Sequence, residues 1–332
     1  RSMFNTVWKD FKNGKFEPTY LIVGEENFYI DETIRIIKTS FTEEQVELIT
    51  FDLEEQPLDY VLDEADTIPF FSEKKNIIAK NASFLKATEK GKEKVEHDFK
   101  RFEAWLKNPS DTAVTIFVAP YEKVDERKKV TKQLKENSVV LHAETPQNKD
   151  LVAWIRSETS HFNKKISDAA VDKLIEMVGS NMLTIRQEIE KVSLYLGDEP
   201  EIQVQTIVNL VAKTLEHDAF QMLAAYLEKR PKEALEIYHD LLRQKEEPIK
   251  LVGLLASNIR TMSNVFYLLQ KGYHPQQIAK QLKLHPYRVK LITKQRVKPS
   301  QERLIQAQYK LTDINMQLKT KSSNRKRYIE KY

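Results

Sequence analysis

Gly24 closes an apolar run, Leu21-Ile22-Val23, and an amphipathic segment follows from Asp31. A glycine between a strand and a helix is where an ATPase places the loop that cradles a triphosphate, because backbone N–H groups converge there on the anion. That loop reads G-x-x-x-x-G-K-[ST]. Laid on Gly24, it requires a second glycine, a lysine and a hydroxyl where this chain has Tyr29, Ile30 and Asp31. Glu25 and Glu26 fill the loop itself, and two carboxylates repel a triphosphate. The strand-like run 76–79 is the other place to look, since an ATPase often ends that strand in the acidic pair that holds magnesium. Here it runs into Lys80-Asn81. The order of a nucleotide-binding fold is present without its chemistry, so the segment reads as a degenerate ATPase domain used as a scaffold, with no cofactor.

Other reactive groups are sparse. There is no cysteine, which removes disulfides, cysteine-ligated zinc and thiol nucleophiles together. The 7 histidines, His97, His142, His161, His217, His239, His274 and His285, show no i, i+4 pair of the helical zinc type, and no metal is expected. His285, before Pro286, reads as part of a turn. No serine sits in a nucleophile elbow. Asp63 and Asp66 read as solvated charge on a helix face. Arg186 reads as an in-helix partner of Glu190, four residues on. Arg127 and the two lysines after it read as an exposed helix face. Glycine is scarce, 7 of 332 residues against a usual ~7%, which again disfavours a phosphate-cradling hydrolase.

The elements that would position these residues fall into two styles. Strand candidates at 20–23, 47–51, 76–79, 114–118 and 138–142 alternate with helix candidates at 30–39, 58–66, 92–107 and 124–136. This alternation predicts an open, mostly parallel sheet flanked by helices. Pro146 marks a boundary, and no strand is expected after Asn148. Four short helices are predicted at 148–160, 167–178, 181–196 and 203–213. Longer ones follow at 217–229, 232–244, 249–270, 275–296 (interrupted near Leu284) and 300–318, each with apolar residues three, four and seven apart. The fold class is therefore α/β plus all-α, in three parts: 1–145, 146–213 and 214–332.

Charge is divided unevenly. Residues 1–213 carry 30 Lys+Arg and 38 Asp+Glu, a net of −8, and residues 214–332 carry 23 and 11, a net of +12. Such a split suggests different partners for the two parts, although lysine-rich helices with solvated faces give the same count. No apolar run approaches the roughly 20 residues of a membrane helix, and residues 4–9 do not read as a signal peptide, so a cytoplasmic location without membrane contact is expected. Arg1 and Ser2 precede Met3, which reads as the natural start. The basic tail, 319–327, either contacts anions or continues a terminal helix.

Two stretches could bind macromolecules. Residues 276–295 resemble a helix-turn-helix, with Arg288, Lys290 and Lys294 on the second helix as nucleic-acid contacts. Two helices about a tight turn are also ordinary helical architecture, and no Asn or Gln stands early in the second helix to read a base edge. The second stretch is 67–76, TIPFFSEKKN, with Phe70 and Phe71 after Pro69. Buried phenylalanine is the common case, and periodicity alone favours the core. A turn before the strand could instead project both rings as an anchor, worth at most roughly 3 to 6 kcal/mol in a preformed pocket.

Five blocks in order give a family resemblance. They are Tyr20-Leu21-Ile22-Val23-Gly24-Glu25-Glu26; Phe117-Val118-Ala119-Pro120 with Val124-Asp125-Glu126-Arg127-Lys128-Lys129 and Leu134-Lys135; Gly179-Ser180-Asn181-Met182 with Arg186, Glu188-Ile189, Lys191 and Tyr195; Pro248-Ile249-Lys250-Leu251 with Ile259-Arg260; and His285-Pro286-Tyr287-Arg288-Val289-Lys290. Over nearly its whole length the chain resembles the delta subunits of bacterial DNA polymerase III clamp loaders, of the Gram-positive type. The resemblance implies a degenerate AAA+-like first domain without a nucleotide site, a small helical lid and a helical collar. It implies no ATP hydrolysis of its own. It implies a protein that binds the sliding clamp (beta) and opens its ring, beside the gamma/tau ATPase subunits and delta-prime, with DNA inside the assembled loader. It turns Phe70 and Phe71 into the clamp anchor, although the family typically has leucine where Phe70 stands; Pro69 stiffens the approach and Ile68 supports the loop from beneath. The alternative from another class is a helix-turn-helix DNA-binding regulator with an N-terminal α/β domain; a third is an active ATPase of unusual motif.

Overall fold

The computed structural model describes residues 3–40, 48–69, 74–87, 94–295 and 298–320, and the chain forms two compact units, Arg1–Thr145 and Pro146–Tyr332. The first begins with α1 (Met3–Lys12), β1 (Thr19–Val23), α2 (Asn27–Ser40), β2 (Leu48–Asp52) and α3 (Leu58–Asp66). It continues through β3 (Lys75–Lys80), α4 (Phe99–Lys107), β4 (Ala113–Ala119), α5 (Lys129–Glu136) and β5 (Val139–His142). The five strands form one sheet in the order β2-β3-β4-β1-β5, every neighbouring pair parallel. Parallel neighbours need crossovers, and helices supply them without stranding backbone polar groups. β1 and β4 are buried along their whole length, as strands covered on both faces must be. Leu21, Val23, Ile77 and Phe117 pack with Leu58, Phe102 and Leu134 of α3, α4 and α5. Tyr20 points the other way, its ring edge-on to Phe11 of α1, 5.3 Å between centroids.

Three features of this unit depart from the sequence reading. α1 lay outside it, although Phe4, Val7, Trp8 and Phe11 are all buried at helical spacing. Phe4 stacks on Tyr29 at 4.5 Å, and the Trp8 indole donates to Thr33 Oγ1 at 2.9 Å, so α1 braces the start of α2. The helix expected over 92–107 begins only at Phe99; Asp98 caps it by accepting from the Arg101 N–H, and His97 Nδ1 instead accepts from the Leu58 N–H at 3.0 Å. The helix expected from residue 124 begins at Lys129, because Asp125 accepts from the Arg127 N–H in a turn; Arg127 therefore precedes the helix, paired with Asp125.

The second unit starts with α6 (Lys149–His161), β6 (Lys165–Ile166), α7 (Asp168–Val178), α8 (Met182–Leu196), β7 (Glu201–Ile202) and α9 (Val204–Leu210). β6 and β7 pair in parallel, a correction to the expectation of no strand after Asn148; at two residues each they are too short to show an alternation. Leu151, Ile155, Leu174, Ile185, Ile189 and Val192 form the core here. A second core follows in α10 (Leu215–Leu227), α11 (Pro231–Arg243), α12 (Pro248–Gln270), α13 (Pro275–Leu282), α14 (Pro286–Thr293) and α15 (Gln301–Thr320). Proline opens four of these, α11 to α14, where its missing N–H costs nothing.

Candidate functional site

β1 lies between β4 and β5 and delivers Gly24 to the carboxyl edge of the sheet, where open α/β folds bind ligands. Four of the N–H groups around it are already bonded within the protein. Gly24 N–H donates to Ala119 O at 3.0 Å and Glu26 N–H to Ala143 O at 3.1 Å. Phe28 N–H donates to the Glu26 carboxylate at 3.2 Å, and Tyr29 N–H to Glu26 O at 3.3 Å. Glu26 thus places its own anion on the N-terminus of α2, the position a phosphate would favour. Its other oxygen accepts from Thr145 Oγ1 at 2.5 Å. Gly24 has φ +136°, and a Cβ there would lie 2.2 Å from Ala143 O, so the loop lies flat against the end of β5. Tyr29 is stacked into the α1 face, Ile30 is half-buried, and Glu25 and Asp31 face solvent. The residues at 24–31 form a closed, self-capped helix entry. Thr145 and Ala143 are contributors that the loop pattern does not contain, since they come from the far end of the unit.

The segment after α3 is built differently. Lys75, the first residue of β3, is 3% exposed. Its ammonium donates to Glu64 Oε1 at 2.9 Å, to Glu64 O at 3.2 Å and to Thr67 O at 3.1 Å. One lysine therefore ties both ends of 67–74 together and satisfies carbonyls at the C-terminus of α3. A second set of contacts fixes α3 itself. Arg101 on α4 pairs with Asp59 and Asp63, and the Trp105 indole donates to Asp66 at 3.2 Å. Asp63 and Asp66 are exposed, as read, and each also bonds to α4. Out of this frame projects Ile68, 77% exposed, where support from beneath was expected; Pro69 is half-buried. Phe70 and Phe71 lie outside the described residues.

The remaining candidates are placed as follows. Arg186 reaches across to α6 and holds Glu158 bidentately, at 3.0 and 2.8 Å, in place of the expected in-helix partner Glu190. Glu158 is 28 residues away and almost fully buried, a pairing that sequence spacing cannot show. Of the three cations assigned to a helix-turn-helix, Lys290 and Lys294 face solvent. Arg288 is half-buried, donates to Asn258 Oδ1 at 2.6 Å, and is held below its ordinary pKa by that burial. His285 Nδ1 accepts from the Tyr287 N–H, closing the turn before α14 as expected. Among the described residues no three His, Asp or Glu side chains gather as a metal site. No described helix is long and apolar enough to cross a membrane.

Across 327 residues the chain is 35% identical to the DNA polymerase III delta protein of Bacillus subtilis, covering 98% of this chain and 94% of that one. The chain belongs to the DNA polymerase III delta family. The model for "DNA polymerase III, delta subunit" matches residues 20–144, and the model for the C-terminal domain of delta matches 216–332. The solved Bacillus subtilis clamp loader delta protein superposes with a TM-score of 0.81 at 33% identity, covering 99% of this chain and 97% of that one. The Escherichia coli delta protein is 25% identical over 132 residues, 40% of this chain and 38% of its own. Delta is a component of the DNA polymerase III holoenzyme that is not itself catalytic. The chain has a clamp-loader role in DNA replication.

Proposed function

We propose that this delta-family chain is the loader component that grips the sliding clamp (beta) and opens its ring. Phe70 and Phe71 are the anchor, with Ile68 and Pro69 at its edge. The observation that carries this reading is the frame at Lys75. Three charge-assisted bonds join Lys75 to Glu64 and Thr67 beside an exposed isoleucine, so these flanking residues need no further ordering on docking. Ring opening then needs no chemistry. A protein that prefers the open shape of the clamp shifts its equilibrium by the difference in its two affinities. ATP is handled by the gamma/tau subunits, and delta-prime completes the assembly around DNA. In this reading the second unit divides into a lid, 146–213, and a collar, 214–332, whose apolar faces meet the other loader proteins. The cytoplasm is the compartment such a replication machine requires.

The self-capped entry at Glu26 supports a scaffold over an ATPase, and the inward-turned Arg288 weighs against a DNA-reading helix. The test is binding of immobilised clamp by Phe70→Ala/Phe71→Ala. We expect affinity to fall at least a hundredfold while far-UV circular dichroism is unchanged. Parental affinity in the double variant overturns the assignment.

A further inference from the structure

The block His285-Pro286-Tyr287-Arg288-Val289-Lys290 has no part in clamp docking as described, yet its successive residues face different ways. The turn that carries it is rigid. Lys283 takes a left-handed conformation, φ 55° and ψ 42°, to end α13. Pro286 then fixes φ at the first position of α14, and His285 caps that helix. From this corner Tyr287 packs against the core built from α6 to α9, the one that holds Leu174 and Ile175. Burial there, with Glu176 and Asp172 of α7 close by, pushes its phenol well above the ordinary range. The next side chain, Arg288, turns back and bonds Asn258 on α12. Val289 and Ile292, both fully buried, enter the core of α10 to α15.

The α6–α9 and α10–α15 layers are also joined through the chain at 211–214, where Thr214 N–H donates to Met177 O at 3.1 Å before capping α10. Beside that bond the start of α10 meets α7, with His217 buried near Glu176 and Lys173, a narrow junction that can act as a hinge. The cavity beside it, about 300 Å³, is lined from both layers and bounded by Tyr287 and Arg288. We propose that the α13–α14 corner is a strut that locks the α6–α9 layer onto the α10–α15 layer, with Tyr287 as the foot on one and Arg288 as the anchor on the other. With the strut in place the second unit moves as one body, and force applied to the helical layer at the C-terminus is passed to the layer at 146–213 without loss at the hinge. This holds whether or not the chain opens a clamp, because it rests on contacts within the second unit alone.

The absence of cysteine allows a direct test in the full chain. Cysteines placed at the exposed positions Asp198 and Lys271, one in each layer, are spin-labelled and their separation measured by double electron–electron resonance. The parent should give one narrow distance distribution. Tyr287→Ala and the milder Arg288→Gln should each broaden it to at least twice the parental width, and Tyr287→Phe should restore it, since the ring carries the contact. A broad parental distribution, or parental width in both Tyr287→Ala and Arg288→Gln, overturns the strut. Should Tyr287→Ala fail to fold, Arg288→Gln alone decides.

Discussion

Lys75→Met removes the ammonium that frames the 67–74 segment and keeps the apolar stem, so packing at the head of β3 changes little. Three acceptors lose a bond: the Glu64 carboxylate and the carbonyls of Glu64 and Thr67, of which Glu64 O still accepts from the Thr67 N–H at 3.2 Å. Bonds to a charged group are worth about 1.5–3 kcal/mol net when the partner stays behind unsatisfied. The Glu64 side chain is one-third exposed, 33%, so water recovers much of its share. Removal of the buried ammonium also lifts its own desolvation cost. The Thr67 carbonyl carries most of the remainder, and the expected loss is about 1–2 kcal/mol. Urea unfolding followed by tryptophan fluorescence measures it as a lower midpoint with unchanged slope. The same variant should bind clamp several-fold more weakly, because a loop with free ends pays its ordering entropy at docking. A stability change below about 0.5 kcal/mol together with parental clamp affinity would refute the role given to Lys75.

Gly24→Ala should destabilise the first unit by on the order of 3 kcal/mol, from a φ of +136° and a Cβ driven to 2.2 Å from Ala143 O; urea titration reads it directly. Arg186→Met strands the buried Glu158 carboxylate and should cost about 3 kcal/mol, whereas Arg186→Met with Glu158→Met should recover most of the loss in the same assay. His217 is 8% exposed and burial holds it down at about 4, against 6.5 unfolded. The unfolded chain therefore binds the extra proton first, and stability should fall as pH drops from 6.5 towards 4, by at most about 3 kcal/mol. His217→Gln should flatten that part of the stability profile, and an unchanged slope would contradict it.

The sheet was legible because buried parallel strands are short apolar runs bounded by polar ones; β1 and β4 are read within a residue of their ends. α1 was legible in principle, since Phe4, Val7, Trp8 and Phe11 make an apolar stripe, but it precedes the first strand, where the alternation of elements gives no prompt. The loss of nucleotide chemistry could be read from Tyr29, Ile30 and Asp31. That Glu26 replaces the phosphate could not, because its partners Ala143 and Thr145 are more than 100 residues away. The same holds for Arg186 with Glu158 and for the three acceptors of Lys75: polar pairs between elements leave no periodic trace. Arg288 shows the converse error. A cation on a short helix reads as a surface charge until Asn258 is placed beneath it.

Ring opening without chemistry is the central claim. The decisive measurement adds stoichiometric chain, with no nucleotide, to closed clamps loaded on nicked circular DNA and follows their release by gel filtration. The chain should free the clamps in minutes, and Phe70→Ala/Phe71→Ala should leave them on the DNA. Clamps that stay on the circle with the parental chain, or leave it equally fast with the double variant, would contradict the claim.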